Sequence, residues 1–332
     1  MQRYIEAFSS QVQDWLDSES TKPVFEIVDF KRYDQELPKL RVLFAGGGPP
    51  SASAADPPAL SFATSFVSCL ASTASIPPNH ADAFRHCLAA TIVFHKMTKA
   101  IFEEREDLDA VQGFYVLLLQ CLKLAKQSAN TAKLDEGLRG FVGPCVRMCN
   151  KSQFRVQASL LLLQVCTTRL ACVFKDKRYT YALSSVIVPA EGASLSRDFV
   201  PSLQEARSGQ LIAGSKRAKA PKSVYVSFCF YYGVLALHTD ELRKAECLLT
   251  MAFKLCHHNA AHNMRRIAFY LIPLKLRLLK YPSIKFLRQT RLLDLYGPVM
   301  LFLINGDVPG FRKFMDTHRV TMLRFVSIQI IC

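Results

Sequence analysis

The chain has 332 residues, 50% of them hydrophobic and only 21% charged, so it can bury a large core as one elongated body or as two domains, and wholesale disorder does not fit. Its net charge of +15 is uneven: residues 216–332 carry 19 Lys and Arg against 6 Asp and Glu, a net of +13, and the first 215 a net of only +2. That asymmetry suggests a polyanionic partner for the C-terminal third, either nucleic acid or an acidic protein. None of the 11 cysteines falls in a C-x-x-C pair, so they read as small core residues of a reduced, soluble, nucleocytoplasmic protein.

From the N-terminus, "MQRYIEAFSSQVQDWLDSES" is mixed polar and acidic, unlike a signal peptide. Ile5, Phe8, Val12, Trp15 and Leu16 recur at helical spacing. The stretch "AGGGPPSASAADPP", Ala45 to Pro58, is low in complexity and lacks the Gly-Lys-Ser/Thr ending of a phosphate loop, so it reads as a linker. Beyond it the pattern is almost wholly helical. Phe84, Leu88, Ile92, His95 and Thr98 share one face; Val111, Phe114, Tyr115, Leu118, Leu122 and Ala125 share another. Residues 154–174 are apolar on nearly every side, as in a helix covered on both flanks. Neither long apolar run is expected to span a bilayer: "FYVLLLQCLKLA" is too short and "SLLLLQVCTTRLACVF" carries Arg169.

Between Val186 and Ala220 the periodicity lapses into Pro, Gly and Ser and ends in "SKRAKAPK", which fits a nuclear-import address or a solvated loop. Regular pattern then returns. One helix runs to about His238, Thr239 or Asp240 can cap the next, and Leu242, Ala245, Leu249, Ala252, Phe253 and Cys256 form its apolar face. Gly233 opposite Ala245 and Ala252 lets the two backbones approach, the pattern of a tetratricopeptide-like hairpin.

"KLCHHNAAHN", Lys254 to Asn263, brings Cys256, His257, His258 and His262 within seven residues. A tetrahedral zinc site needs two close ligand pairs, and no second pair sits nearby. The stretch therefore reads as a helix end: Cys256 continues the buried stripe, His257 and His258 complement the negative terminus, and Asn259 stops the helix. An enzyme using Cys256 as nucleophile with a histidine base would need that thiol exposed and its pKa lowered. No metal, cofactor, catalytic residue or small-molecule substrate is expected.

From Asn263 to His318, Ile267, Tyr270, Leu271, Leu274 and Leu278 form a core face, with Pro273 expected to kink the helix. Interleaved are Arg265, Arg266, Lys275, Arg277, Lys280, Lys285, Arg288 and Arg291, with few acids near in sequence. They suit phosphate contacts, or equally a solvated face whose long stems cover apolar neighbours. Gly306 in "INGDV" marks a tight turn, with another helix starting near Asp307 or Pro309.

"YLIPLKL" (Tyr270–Leu276), "AFKLCHHN" (Ala252–Asn259) and "INGDVPGF" (Ile304–Phe311), in that setting, resemble the PCI-domain family. More narrowly, they resemble its branch of PCI domain-containing protein 2 and the PCI subunit of the transcription-coupled mRNA export complex. The likeness covers residues 223–319. It implies an all-α chain of stacked helix pairs leading into a C-terminal winged helix, without a catalytic centre. It also implies a nuclear scaffold that pairs with a larger PCI-bearing export scaffold, holds a small acidic Sem-type protein, and presents a basic surface to RNA or DNA. Lys275, Arg277, Lys280, Lys285, Arg288 and Arg291 are the candidates for that surface. Gly233, Ala245, Ala252, Cys256, His257, Asn259, Pro273 and Gly306 are the structural residues of the motif. A signalosome-associated subunit binding protein alone is the alternative.

The expected organisation is a helical segment at 1–44, a linker at 45–60, helical repeats at 61–185, an irregular basic loop at 186–222 and the PCI domain at 223–332. Family members continue past the "FMDTH" helix into a further helix and a β-wing. "RVTMLRFVSIQIIC" could only begin that helix, so the winged helix is expected to be truncated, with apolar surface exposed.

Overall fold

A computed structural model describes residues 2–17, 57–74, 79–104, 108–150, 155–175, 178–191, 198–211 and 215–319. The chain divides into two compact units, Met1–Ser194 and Leu195–Cys332. Every regular element among the described residues is helical, and the helices pack in pairs, a PCI-like all-α fold. The expected linker lies outside the described residues as far as residue 56. From Pro58 the chain is already helical, since proline is tolerated in a first helical turn.

The N-terminal unit contains α1 (Gln2–Leu16), α2 (Pro58–Ala74), α3 (His80–Glu104), α4 (Leu108–Gln127), α5 (Thr131–Asn150) and α6 (Arg155–Lys175). Successive helices stack, α1 on α2, α2 on α3, α3 on α4 and α5 on α6. Rings run through the stack: Phe8 of α1 lies 5.1 Å from Phe66, Phe62 is 5.4 Å from Phe94, Phe94 is 6.5 Å from Phe114, and Phe114 is 6.1 Å from Phe141. Ile5, Phe8 and Val12 are buried as their spacing predicts.

On α3 the core face is rotated from the expected one. Phe84 and His95 are buried, but between them come Cys87, Thr91 and Phe94, leaving Leu88 and Ile92 half-buried. Contact with both α2 and α4 causes the shift, because a helix covered on two flanks buries a wider stripe than one row of residues. On α4, Phe114, Leu118 and Ala125 are buried with Leu117, Cys121 and Leu124, while Tyr115 and Leu122 are half-buried. The side chains of Thr98 and Val111 lie outside the described residues.

Helix α6 is long and apolar enough from Val156 to Phe174 to cross a membrane by length and composition, but 89% of that span is buried within the protein, as in a core helix. The one charge within that span, Arg169, is fully buried beside Asp135 of α5, Nε to Oδ1 at 2.8 Å. Arg169 Nη1 donates to the Ser185 carbonyl at 2.9 Å, and the Tyr181 hydroxyl donates to the second Asp135 oxygen at 2.9 Å. The last two partners belong to a helical run of α7 (Tyr179–Ala182), a π turn (Leu183–Ile187) and α8 (Val188–Glu191).

In the C-terminal unit the segment expected to be an irregular loop contains α9 (Leu203–Ser208) and α10 (Lys216–Lys219), in addition to α8 of the other unit. Ser202 and Glu205 form a capping box: Ser202 Oγ accepts from the Glu205 N–H and Glu205 Oε2 accepts from the Ser202 N–H. The signal was present in the sequence but hidden among turn residues. In "SKRAKAPK", Lys216 Nζ sits 2.7 Å from Asp198 Oδ2, so one cation of that cluster is already paired.

Helices α11 (Lys222–His238) and α12 (Leu242–Leu255) form the hairpin read from the sequence. A Cβ on Gly233 would lie 2.9 Å from Leu249 Cγ, and Ala245 and Ala252 are fully buried. The cap differs from expectation. Glu241 is the N-cap and makes no side-chain capping bond; the Thr239 hydroxyl instead reaches back to the Leu235 and Ala236 carbonyls, and Asp240 adopts φ 60.

Helix α13 (Ala261–Arg277) runs through the buried Pro273 as one element. It is followed by α14 (Ile284–Gln289), α15 (Leu293–Asn305) and α16 (Val308–Thr317). Phe269, Ile272 and Leu276 of α13 form one core with Leu287 of α14, Tyr296 and Val299 of α15 and Met315 of α16. Gly306 takes φ 67 as the C-cap of α15, and Asp307 caps α16 by accepting from the Gly310 N–H, matching the expected turn and restart. Leu301, Leu303, Ile304 and Val308 around this turn are exposed. Residues 320–332, where a further helix was expected to begin, lie outside the described residues.

Candidate nucleic-acid interface

Ser283 positions the first basic group by capping α14, its Oγ accepting from the Phe286 N–H at 3.2 Å. Leu287 anchors the short helix in the core, which directs Lys285 and Arg288 outward; both are exposed. Arg291 follows at φ 54 and is also exposed. Among the described residues none of these three has an ion-pair partner.

The other three candidates are engaged. Lys280 Nζ is 2.6 Å from Glu246 Oε2, and Arg277 Nη2 is 3.0 Å from Asp240 Oδ1. Lys275 is half-buried, its Nζ 5.6 Å from the centre of the Phe286 ring. Burial chiefly pushes the Lys275 pKa down; Glu246 opposes that, and Lys280 and Lys254 add to it. Lys275 and Lys280 thus share one carboxylate, Glu246. The sequence suggested few neutralising acids, but Glu246 stands 34 residues from Lys280 and only the fold joins them. Exposed Lys and Arg on short, well-anchored helices can contact phosphates, whereas those already paired must first give up a partner.

The "CHHN" stretch departs from expectation. Helix α12 ends at Leu255, with Cys256 as an extended C-cap at ψ 133, so Cys256 is half-exposed rather than part of the buried stripe. His257 and His258 lie beyond the helix, exposed, with rings 4.3 Å apart, and His257 Nδ1 accepts from the Asn259 N–H at 3.2 Å. Apolar spacing could not locate this end, because one more helical residue would have preserved the stripe. Partial burial pushes the Cys256 thiol pKa up, the opposite of an activated nucleophile. Among the described residues no group of three or more His, Cys, Asp or Glu converges on a metal position.

The fold and the basic helix together define an all-α protein of paired helices with a basic C-terminal unit. No family model matches the chain. It is 21% identical to "PCI domain-containing protein 2" of Xenopus laevis over 326 residues, 96% of this chain and 76% of that protein. It is 38% identical over 95 residues to "Protein CSN12 homolog" of Mycosarcoma maydis, and 24% identical over 99 residues to "PCI domain-containing protein 2 homolog" of Dictyostelium discoideum. The chain spans only 21% and 23% of those two proteins' length. At low identity, these relatives support membership of the PCI-domain family.

Proposed function

We propose that this chain is a non-catalytic PCI scaffold subunit of a nuclear mRNA export complex. It pairs with a larger PCI-bearing export scaffold, holds a small acidic Sem-type protein and contacts RNA or DNA through its basic C-terminal unit. The observation that carries the reading is the anchored α14 with Lys285, Arg288 and Arg291 exposed and without an ion-pair partner among the described residues, in a chain 21% identical to one PCI domain-containing protein along 96% of its length.

Single-stranded oligonucleotide binding across a salt series tests it. Replacing Lys285, Arg288 and Arg291 together by Glu should weaken binding and lower the salt slope by about 2, at roughly 0.7 per phosphate contact. An unchanged slope would return these residues to plain surface. A pull-down from native cells tests the assembly: a large PCI-bearing export scaffold with a small acidic protein supports the export reading. The fungal relative's name, "Protein CSN12 homolog", favours a second reading, a signalosome-associated subunit binding protein alone. Recovery of signalosome subunits, with no oligonucleotide binding, would select it.

A further inference from the structure

Between α11 and α13 the C-terminal unit opens a pocket of about 90 Å³, lined by Val226, Ser227, Phe230, Tyr231, Asn263, Arg266 and Ile267. Phe230, one of the lining residues, is buried. The Arg266 guanidinium lies 4.8 Å from the centre of the Phe230 ring, and Tyr270 meets that ring edge-on at 5.6 Å. The Tyr231 ring is 5.3 Å from Phe230 and half-buried. Three hydrogen-bonding groups line the same space: the Ser227 hydroxyl, the Asn263 amide and the guanidinium of Arg266.

We propose that this pocket receives one nucleobase of a single-stranded nucleic acid, with Arg266 and Tyr231 supplying stacking surface and Asn263 and Ser227 meeting the base edge. The proposal rests on the nucleic-acid reading above but concerns a different site, one that selects for a base rather than for phosphate. The volume suits one planar ring, not a drug-sized ligand. A guanidinium held over one ring can offer its outer face to a second planar group. A base edge offers both donors and acceptors to the Asn263 amide and the Ser227 hydroxyl, which a purely apolar side chain does not. Charge points the same way: Arg265 and Arg266 are exposed, in a segment with a net charge of +13. Arg266 and Arg277 are 11 residues apart, about three helical turns, and so share one face of α13 along which a backbone could run.

The test compares two single strands of equal length and charge, about a dozen nucleotides long to cover a typical site. One is oligothymidylate and the other its abasic counterpart. The full chain should bind the base-bearing strand about fivefold or more tightly, the range expected for one stacked base. The variant Arg266→Lys with Asn263→Ala keeps the charge and alters only exposed side chains. It should lose that preference while binding the abasic strand as before, with its helical circular dichroism unchanged. Equal binding of the two strands by the wild-type chain, or a preference that survives in the variant, overturns the pocket assignment and leaves the phosphate reading standing. No binding of either strand at low salt overturns both. An Asp-rich peptide with one Phe, bound in a manner sensitive to the same two substitutions while the strands ignore them, would assign the pocket to a protein and overturn the nucleobase.

Discussion

Arg169 in the N-terminal unit lies fully buried against Asp135, while in the C-terminal unit Lys280 and Arg277 meet Glu246 and Asp240 with side chains 49% and 41% exposed. Both arrangements are ion pairs, but their energetics differ. A charge taken out of water must be repaid by geometry and extra hydrogen bonds, here from Ser185 and Tyr181. Nearer the surface, water already solvates Lys280, Arg277 and Asp240, although Glu246 is only 14% exposed. These pairs are therefore worth less than the buried one, and the cations are more readily passed to another anion. The first arrangement locks a structure, and the second leaves cations available to a ligand.

The largest expected effect attacks the buried pair. Asp135→Ala should destabilise the N-terminal unit by about 3–5 kcal/mol, because Arg169 is left as a buried charge without a counterion. Urea unfolding followed by circular dichroism measures this. Arg169→Met with Asp135→Leu should recover most of the loss, and a small cost for Asp135→Ala alone would dissolve the contrast between the units.

Packing comes next. Ala252→Phe forces a ring into the α11–α12 crossing and should cost about 1–3 kcal/mol, with reduced solubility. Normal stability would mean that the helices are paired differently. A substitution at the half-buried Glu246 should do less. Glu246→Gln weakens the contact with the half-exposed Lys280 while keeping size and hydrogen-bonding capacity, and should change stability by about 1 kcal/mol. If the lysine cluster serves a polyanion, the same change should raise affinity for it at low salt, as read by fluorescence anisotropy.

The smallest effect is on pH dependence. Burial pushes the His238 pKa down, so below the ordinary value of about 6.5 the unfolded chain binds the proton more readily than the folded one. The stability linked to a neutral His238 is therefore present above that value and lost as pH falls below it. His238→Gln should shallow the decline in urea midpoint between neutral and mildly acidic pH. An identical decline in both proteins would remove His238 from the acid response.

Cysteines show how the interior takes polarisable side chains without using their chemistry. Cys87 and Cys121 bring their sulfurs within 3.2 Å on adjacent helices, and burial pushes the Cys87 thiol well up. On α6, burial pushes the Cys166 thiol up to about 12, so Cys87 and Cys166 stay protonated in the folded state.

Helix existence and type were legible from local spacing: the α11–α12 hairpin, the all-round apolar α6 and the Gly306 turn each follow from residues within a few positions of one another. Those signals are local because helical hydrogen bonds and side-chain neighbours lie three or four residues apart. Helix ends were less legible, as at Cys256 and Glu241, where the turn that redirects the chain competes with a periodicity that could have continued. What only the tertiary structure decided is which charges meet. Arg169 finds Asp135 and Lys280 finds Glu246, each across 34 residues. No sequence period encodes such a meeting, because it depends on which helices pack together. The partition of six candidate cations into three engaged and three without an ion-pair partner among the described residues is therefore a property of packing, while the net charge that singled them out belongs to the sequence alone.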